Sequence, residues 1–183
     1  MQQPKTAFPA DLDVQDDDEE PIIALGSSAP RLTAQHRASA QREVEKLVDK
    51  LSQDLPLLLN DAGEANMKMN RAPGRCVMQG TGGAVSVSWF PAQFDETSAG
   101  ELQVIEWRGL VTLPGSAPKP DAKATIVEVS LFHLVRGAGP NEWTWQGDKE
   151  SKAFETEGLA QRCLERLKTR EAKAVKAAAA ATR

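Results

Sequence analysis

Apolar positions in this chain change their period twice. Val44, Leu47, Val48, Leu51, Leu55 and Leu58 recur at three- and four-residue steps, with Gln41, Arg42, Glu45, Lys46, Lys50 and Gln53 opposite. That spacing predicts an amphipathic helix over residues 33–59 with one buried stripe. Pro56 has no backbone N–H, so the helix is expected to kink or end near Leu55. Asn60, Asp61 and Gly63 then read as a stop and a loop.

Further along the period becomes two. Strands are expected at 75–79, 84–90, 101–112, 124–135 and 142–146, runs rich in Val, Ile, Thr and Trp. Turn residues separate them at 80–83, 91–100, 114–121 and 137–140. Connections this short favour antiparallel neighbours, and no helix-length crossover supports a doubly wound parallel sheet. The alternation puts Val85, Val87, Trp89, Ile105, Trp107, Val111, Val127, Val129, Leu131, Trp143 and Trp145 on one face. Ser86, Ser88, Glu106, Arg108, Glu128 and Ser130 then fall on a wetter face, as antiparallel sheets allow.

A second helix is expected from about Thr156, a capping residue with Glu157 in the first turn. Leu159, Cys163 or Leu164, and Leu167 make its stripe, which fades beyond Lys168. Ala174 and residues 177–181 favour helix by propensity without requiring packing. The expected fold class is α+β: an antiparallel meander of four to five strands, flanked by an N-terminal and a C-terminal helix packed on one face. Residues 31–168 form the expected domain. A disordered acidic segment at 1–30 precedes it, and a basic Ala-rich segment at 169–183, helical or disordered, follows.

Composition sharpens the ends more than the middle. The formal charge of -4 suits a soluble domain and argues against wholesale nucleic-acid binding. Acids concentrate early (Asp11, Asp13, Asp16, Asp17, Asp18, Glu19, Glu20) and bases late (Arg162, Arg166, Lys168, Arg170, Lys173, Lys176, Arg183). Asp16, Asp17, Asp18 and Glu19, with Arg166, Arg170 and Lys173, are therefore candidate partner contacts. The start of the chain lacks the basic and apolar run of a secretory leader, and no stretch approaches ~20 apolar residues. A cytoplasmic location without a membrane span is expected.

Chemistry-bearing motifs are sparse. Cys76 and Cys163 stand far apart, and His36 and His133 are the only histidines, which gives no zinc spacing. We expect no metal and no cofactor. Gly80-Thr81-Gly82-Gly83 matches neither phosphate-loop nor dinucleotide-loop spacing and reads as a hairpin turn. Glu106, Arg108 and Glu128 suit a cross-strand ion-pair surface, with ligand contact as an alternative. Trp107, Trp143 and His133 are candidates to line a pocket between sheet and helices. Weighed together, these features favour a non-catalytic accessory or adaptor protein working by protein–protein contact, in a larger assembly or a homo-oligomer. A small-ligand pocket and nucleic-acid binding through the basic C-terminal helix are the alternatives.

Overall fold

The computed structural model describes residues 32–62, 67–92, 98–111, 124–137, 139 and 142–181. The acidic segment with Asp16, Asp17, Asp18 and Glu19 lies outside them. A long helix α1 (Ala34–Ala62) leads into seven strands: β1 (Lys68–Ala72), β2 (Arg75–Gln79), β3 (Gly83–Pro91), β4 (Ser98–Arg108), β5 (Thr125–Arg136), β6 (Trp143–Gly147) and β7 (Ala153–Phe154). Helix α2 (Thr156–Ala181) closes the order. The strands form one antiparallel sheet in sequence order, a plain meander.

The α+β class and the meander are as expected, but the sheet has seven strands rather than four or five. The five expected strands are present with shifted ends, and β1 and β7 are additional. β1 reads Lys-Met-Asn-Arg-Ala, with no β-branched or aromatic residue, and β7 has only two residues. Neither carries a strand signal. β4 stops at Arg108, short of Thr112, because Gly109 takes a φ of 83°. The chain then crosses toward β2, where the Val111 N–H donates to Gln79 Oε1 at 2.9 Å.

α1 also runs through Pro56 instead of ending near Leu55. Pro56 and Ser52, whose carbonyl loses its donor there, both lie on the exposed side, so water can satisfy the freed group. Thr156 opens α2, yet its hydroxyl serves other partners: Trp145 Nε1 donates to it at 3.0 Å, and it donates to Glu43 Oε1 at 2.6 Å.

Both helices cover one face of the sheet. Val44, Leu47, Leu51, Leu159, Cys163 and Leu167 meet Met78, Val85, Val87, Leu102, Val104, Phe132, Leu134 and Trp145 in one buried cluster. Each fully buried aliphatic side chain here contributes about 1.5–3 kcal/mol. Trp89 and Trp145 meet edge to face, with ring centroids 5.9 Å apart.

The expected faces hold for β3 and β6 and are reversed in β4 and β5. Leu102, Val104 and Glu106 point inward, as do Phe132 and Leu134. Ile105, Trp107, Val129 and Leu131 share the opposite, outer face. Reading polarity alone fails in β4 because Glu106 is buried among arginines of α2. It fails in β5 because both faces carry large apolar residues. A register shift after Glu106 leaves Val127 as an extra, bulged residue and sets Ile126 beside Trp107.

Candidate functional site

The densest polar constellation lies where α2 crosses β4 and β5. Residues 166 and 170, one turn apart on α2, both reach Glu106 on β4. Arg170 Nε and Nη2 donate to Glu106 Oε2 at 2.9 and 2.8 Å, and Arg166 Nε approaches Oε1 at 3.5 Å. Arg166 also donates to Ser130 Oγ at 2.9 Å and to Glu128 Oε1 at 3.4 Å. Glu106 is 6% exposed, so its charge is sustained by two guanidinium groups rather than by water. With both oxygens engaged, this carboxylate ties a helix to a sheet and presents no free acid or base.

The next residue along α2, Glu171, is buried against the β2–β3 hairpin. Its carboxylate accepts the N–H of Thr81 at 3.2 Å, the N–H of Gly82 at 2.9 Å and the Thr81 hydroxyl at 2.7 Å. Successive backbone N–H groups in a Gly-rich turn form an anion-binding concavity, and here the chain's own carboxylate fills it. Gly82 is required by close approach, and a side chain at Gly80 would push the Glu171 carboxylate out of place. A Cβ at Gly80 would stand 2.1 Å from Glu171 Oε1, and one at Gly82 would stand 2.0 Å from the Ala174 Cβ. Sequence reasoning missed Glu171, although it continues the stripe Leu159, Cys163, Leu167 at a four-residue step. α2 is thus docked past the point where its apolar stripe ends.

The remaining candidates do not converge on one cavity. Trp143 is on the inner face, its Nε1 donating to Ser39 Oγ of α1 at 3.1 Å. Trp107 is on the outer face and donates to Ser86 Oγ at 2.8 Å. His133, also outer, meets Asp148 Oδ1 at 2.8 Å, and its cross-strand neighbours are Glu101 and Gln146. No hydroxyl or thiol stands among those neighbours to act as a nucleophile. Arg108 is exposed at the end of β4, and Lys173 is exposed on α2. Arg166, Arg170, Glu106 and Glu128 are brought together; Trp107, Trp143 and His133 are not.

The two thiols are buried in the core, and burial pushes each up to about 12. For Cys76 the neighbouring Cys163 adds to the rise while Arg71 opposes it. For Cys163, Arg166 and Arg162 oppose it and Glu106 adds to it. Among the described residues no group of three or more His, Cys, Asp or Glu side chains is placed to hold a metal ion. Among them, too, no helix is long and apolar enough to cross a membrane.

The surface offers two open features. β4 pairs along β5 from Thr125 to Val135, whereas β6 pairs only with residues 132–136. Residues 125–130 therefore present a strand edge with no strand beside it among the described residues. The Asp148 N–H, donating to the Leu131 carbonyl at 3.1 Å, closes its inner end. A groove of about 290 Å³ runs there, lined by residues 128–132 and 147–150. Ile126 and Val127 on this segment are 52% and 38% exposed. The outer sheet face is the second feature, with Ile105, Trp107, Val129 and Leu131 each only partly buried.

A scan against protein-family models and searches of curated proteins and of solved structures find no match to this chain.

Proposed function

We propose that this protein is a non-catalytic accessory subunit that works by protein–protein contact, taking an extended segment of its partner along the free half of β5. The observation that supports this reading is the open edge at residues 125–130, with its groove and its exposed Ile126 and Val127. Unpaired strand edges are templates for another chain, because backbone hydrogen bonds supply affinity and flanking pockets supply choice. Natural sheets shield such edges with charged residues, prolines, bulges or covering elements. In residues 125–130, Thr-Ile-Val-Glu-Val-Ser, there is no lysine or proline, and the bulge at Val127 and the exposed Glu128 are the shielding devices present.

The test is affinity capture from the native host, with mass spectrometry, using the full chain and a Val127→Lys variant. A stoichiometric partner that is captured by the native chain and lost from Val127→Lys supports the edge as the contact. A partner retained by Val127→Lys but lost from a truncated chain of residues 32–181 moves the contact to the acidic N-terminal segment. Absence of any partner would overturn the reading.

A further inference from the structure

The outer face has a relief that fits itself. Across β2, β3, β4 and β5 its rows are Gln79–Ala84–Trp107–Ile126, Val77–Ser86–Ile105–Val129 and Arg75–Ser88–Gln103–Leu131. Asp148 extends the third row, since its N–H donates to the Leu131 carbonyl. β4 is the middle strand of the seven. The rows are therefore symmetric about β4 in reach and opposite in character. Within these rows β3 carries only small residues, Ala84, Ser86 and Ser88, while β5 carries Ile126, Val129 and Leu131; the next row on the same face adds Phe90, 43% exposed, on β3 and His133 on β5. Arg75 is exposed on β2, with no ion-pair partner among the described residues. Asp148 stands at the matching distance on the other side, 42% exposed at its side chain, with its Oδ1 already met by His133 Nε2 at 2.8 Å, so that Arg75 would join an existing contact.

We propose that this face is the interface of a two-fold symmetric homodimer, sheet stacked on sheet, with the axis running along β4. Such an axis lays β3 of one copy over β5 of the other. The Trp107 indole leans over β3 toward Ser86, so it meets the second copy's Ile126 and Val129. Its N–H is already satisfied within its own chain, which leaves an apolar ring for the contact. Ser88 leaves room for the second copy's Leu131, and Ile105 meets its own copy near the axis. Arg75 of each copy comes opposite Asp148 of the other, giving two ion pairs at the flanks. Glu101 meets its own copy only at the rim, where water screens the pair.

A second copy suits this face better than an unrelated chain because the charges and the relief complement each other under one rotation. Area agrees. Five strands at ~4.8 Å spacing and roughly five residues long present on the order of 400–500 Å² per copy, about 1,000 Å² for the pair. That is the lower bound for a specific interface. The inference rests on the reading of this protein as one that works by contact, but not on the β5 edge, which stays open in the dimer.

Sedimentation equilibrium of the full chain, from nanomolar to submillimolar concentration, tests it. The expected result is a reversible monomer–dimer equilibrium. Ile105→Lys should be monomeric throughout, with unchanged far-UV circular dichroism and melting temperature. Arg75→Glu and Asp148→Arg should each weaken the dimer by about tenfold, and their combination should restore it, since each carries about 1.4 kcal/mol of complementary charge. These two exposed positions carry the test if Ile105→Lys does not fold. A chain monomeric at every concentration, a dimer indifferent to Ile105→Lys, or a double variant no tighter than the single ones would overturn the proposal. Val127→Lys should leave the dimer intact, so failure at the edge and failure at this face are read separately.

Discussion

Glu171 and Thr81, ninety positions apart in sequence, are joined twice: the Glu171 carboxylate accepts both the backbone N–H and the hydroxyl of Thr81. With Gly82 as third donor, this carboxylate fixes the hairpin tip to α2 beyond Leu167, the last apolar residue of the helix stripe. Glu171→Ala is expected to cost about 2 kcal/mol and Glu171→Gln about 1 kcal/mol, because the exposed tip can partly rehydrate its donors. Urea unfolding gives the totals. Hydrogen exchange gives the place: protection should fall in the last three turns of α2 while the core stays protected. Uniform loss across the chain would contradict a local latch.

Glu106 is expected to be the most sensitive charged position in the chain. Replacing it with Gln leaves the mostly buried Arg170 without its counter-ion and Arg166 with only the exposed Glu128, and should cost about 3 kcal/mol. Arg170→Met alone should cost less, since Arg166 still faces the carboxylate. The pair Glu106→Leu with Arg170→Met should cost less than the sum of its parts by about 1–3 kcal/mol. High salt should barely change these values, because the group is shielded from counter-ions. An additive double variant would show that the arginines and Glu106 are not energetically coupled.

The same Glu106 marks the limit of reading this fold from its sequence. Helix stripes and the five main strands were legible, because period and turn residues are local signals, and short connections pointed to antiparallel neighbours without fixing the strand order. The inward-facing parity of β4 was not. Leu102 and Val104 pointed one way by hydrophobicity, Ile105 and Trp107 the other, and the choice was made by two arginines some sixty residues later. β1 was invisible for another reason: Lys68–Ala72 pairs well with β2 but contains no strand-forming residue type. The candidate ion-pair residues were half legible. Types and strands were right, but Glu106 was assigned to the wet face and Glu171 was missed, since a buried acid looks solvated until its donors are known.

Thr156 joins three elements through one hydroxyl, taking the Trp145 indole N–H of β6 and donating to Glu43 of α1. Glu43 is in turn met by Lys46 Nζ at 2.9 Å. Thr156→Val keeps the shape and removes the oxygen, stranding a buried indole N–H, and should cost about 2–3 kcal/mol. Thr156→Ser keeps the oxygen and should cost under about 1 kcal/mol. Comparable losses for the two variants would assign the effect to the methyl group's packing instead of the hydrogen bonds.

Cys76 and Cys163 should make the fold sensitive to alkali. Burial, the largest cause at both positions, raises each thiol from 9.0 to about 12 in the folded chain. An unfolded chain therefore loses these protons first. Stability from this source is complete below about pH 9 and declines as pH rises toward 12, with a slope of about 1.4 kcal/mol per pH unit for each thiol. The chain contains no tyrosine, so no phenol titrates in that window. Cys163→Ala should shed about half of the slope between pH 9 and 11 in urea titrations, whatever it costs at neutral pH through the lost volume. Both thiols should resist alkylation in the native state and react at once on unfolding. A native chain that alkylates readily at neutral pH would mean that the core opens around α2 far more often than its packing implies.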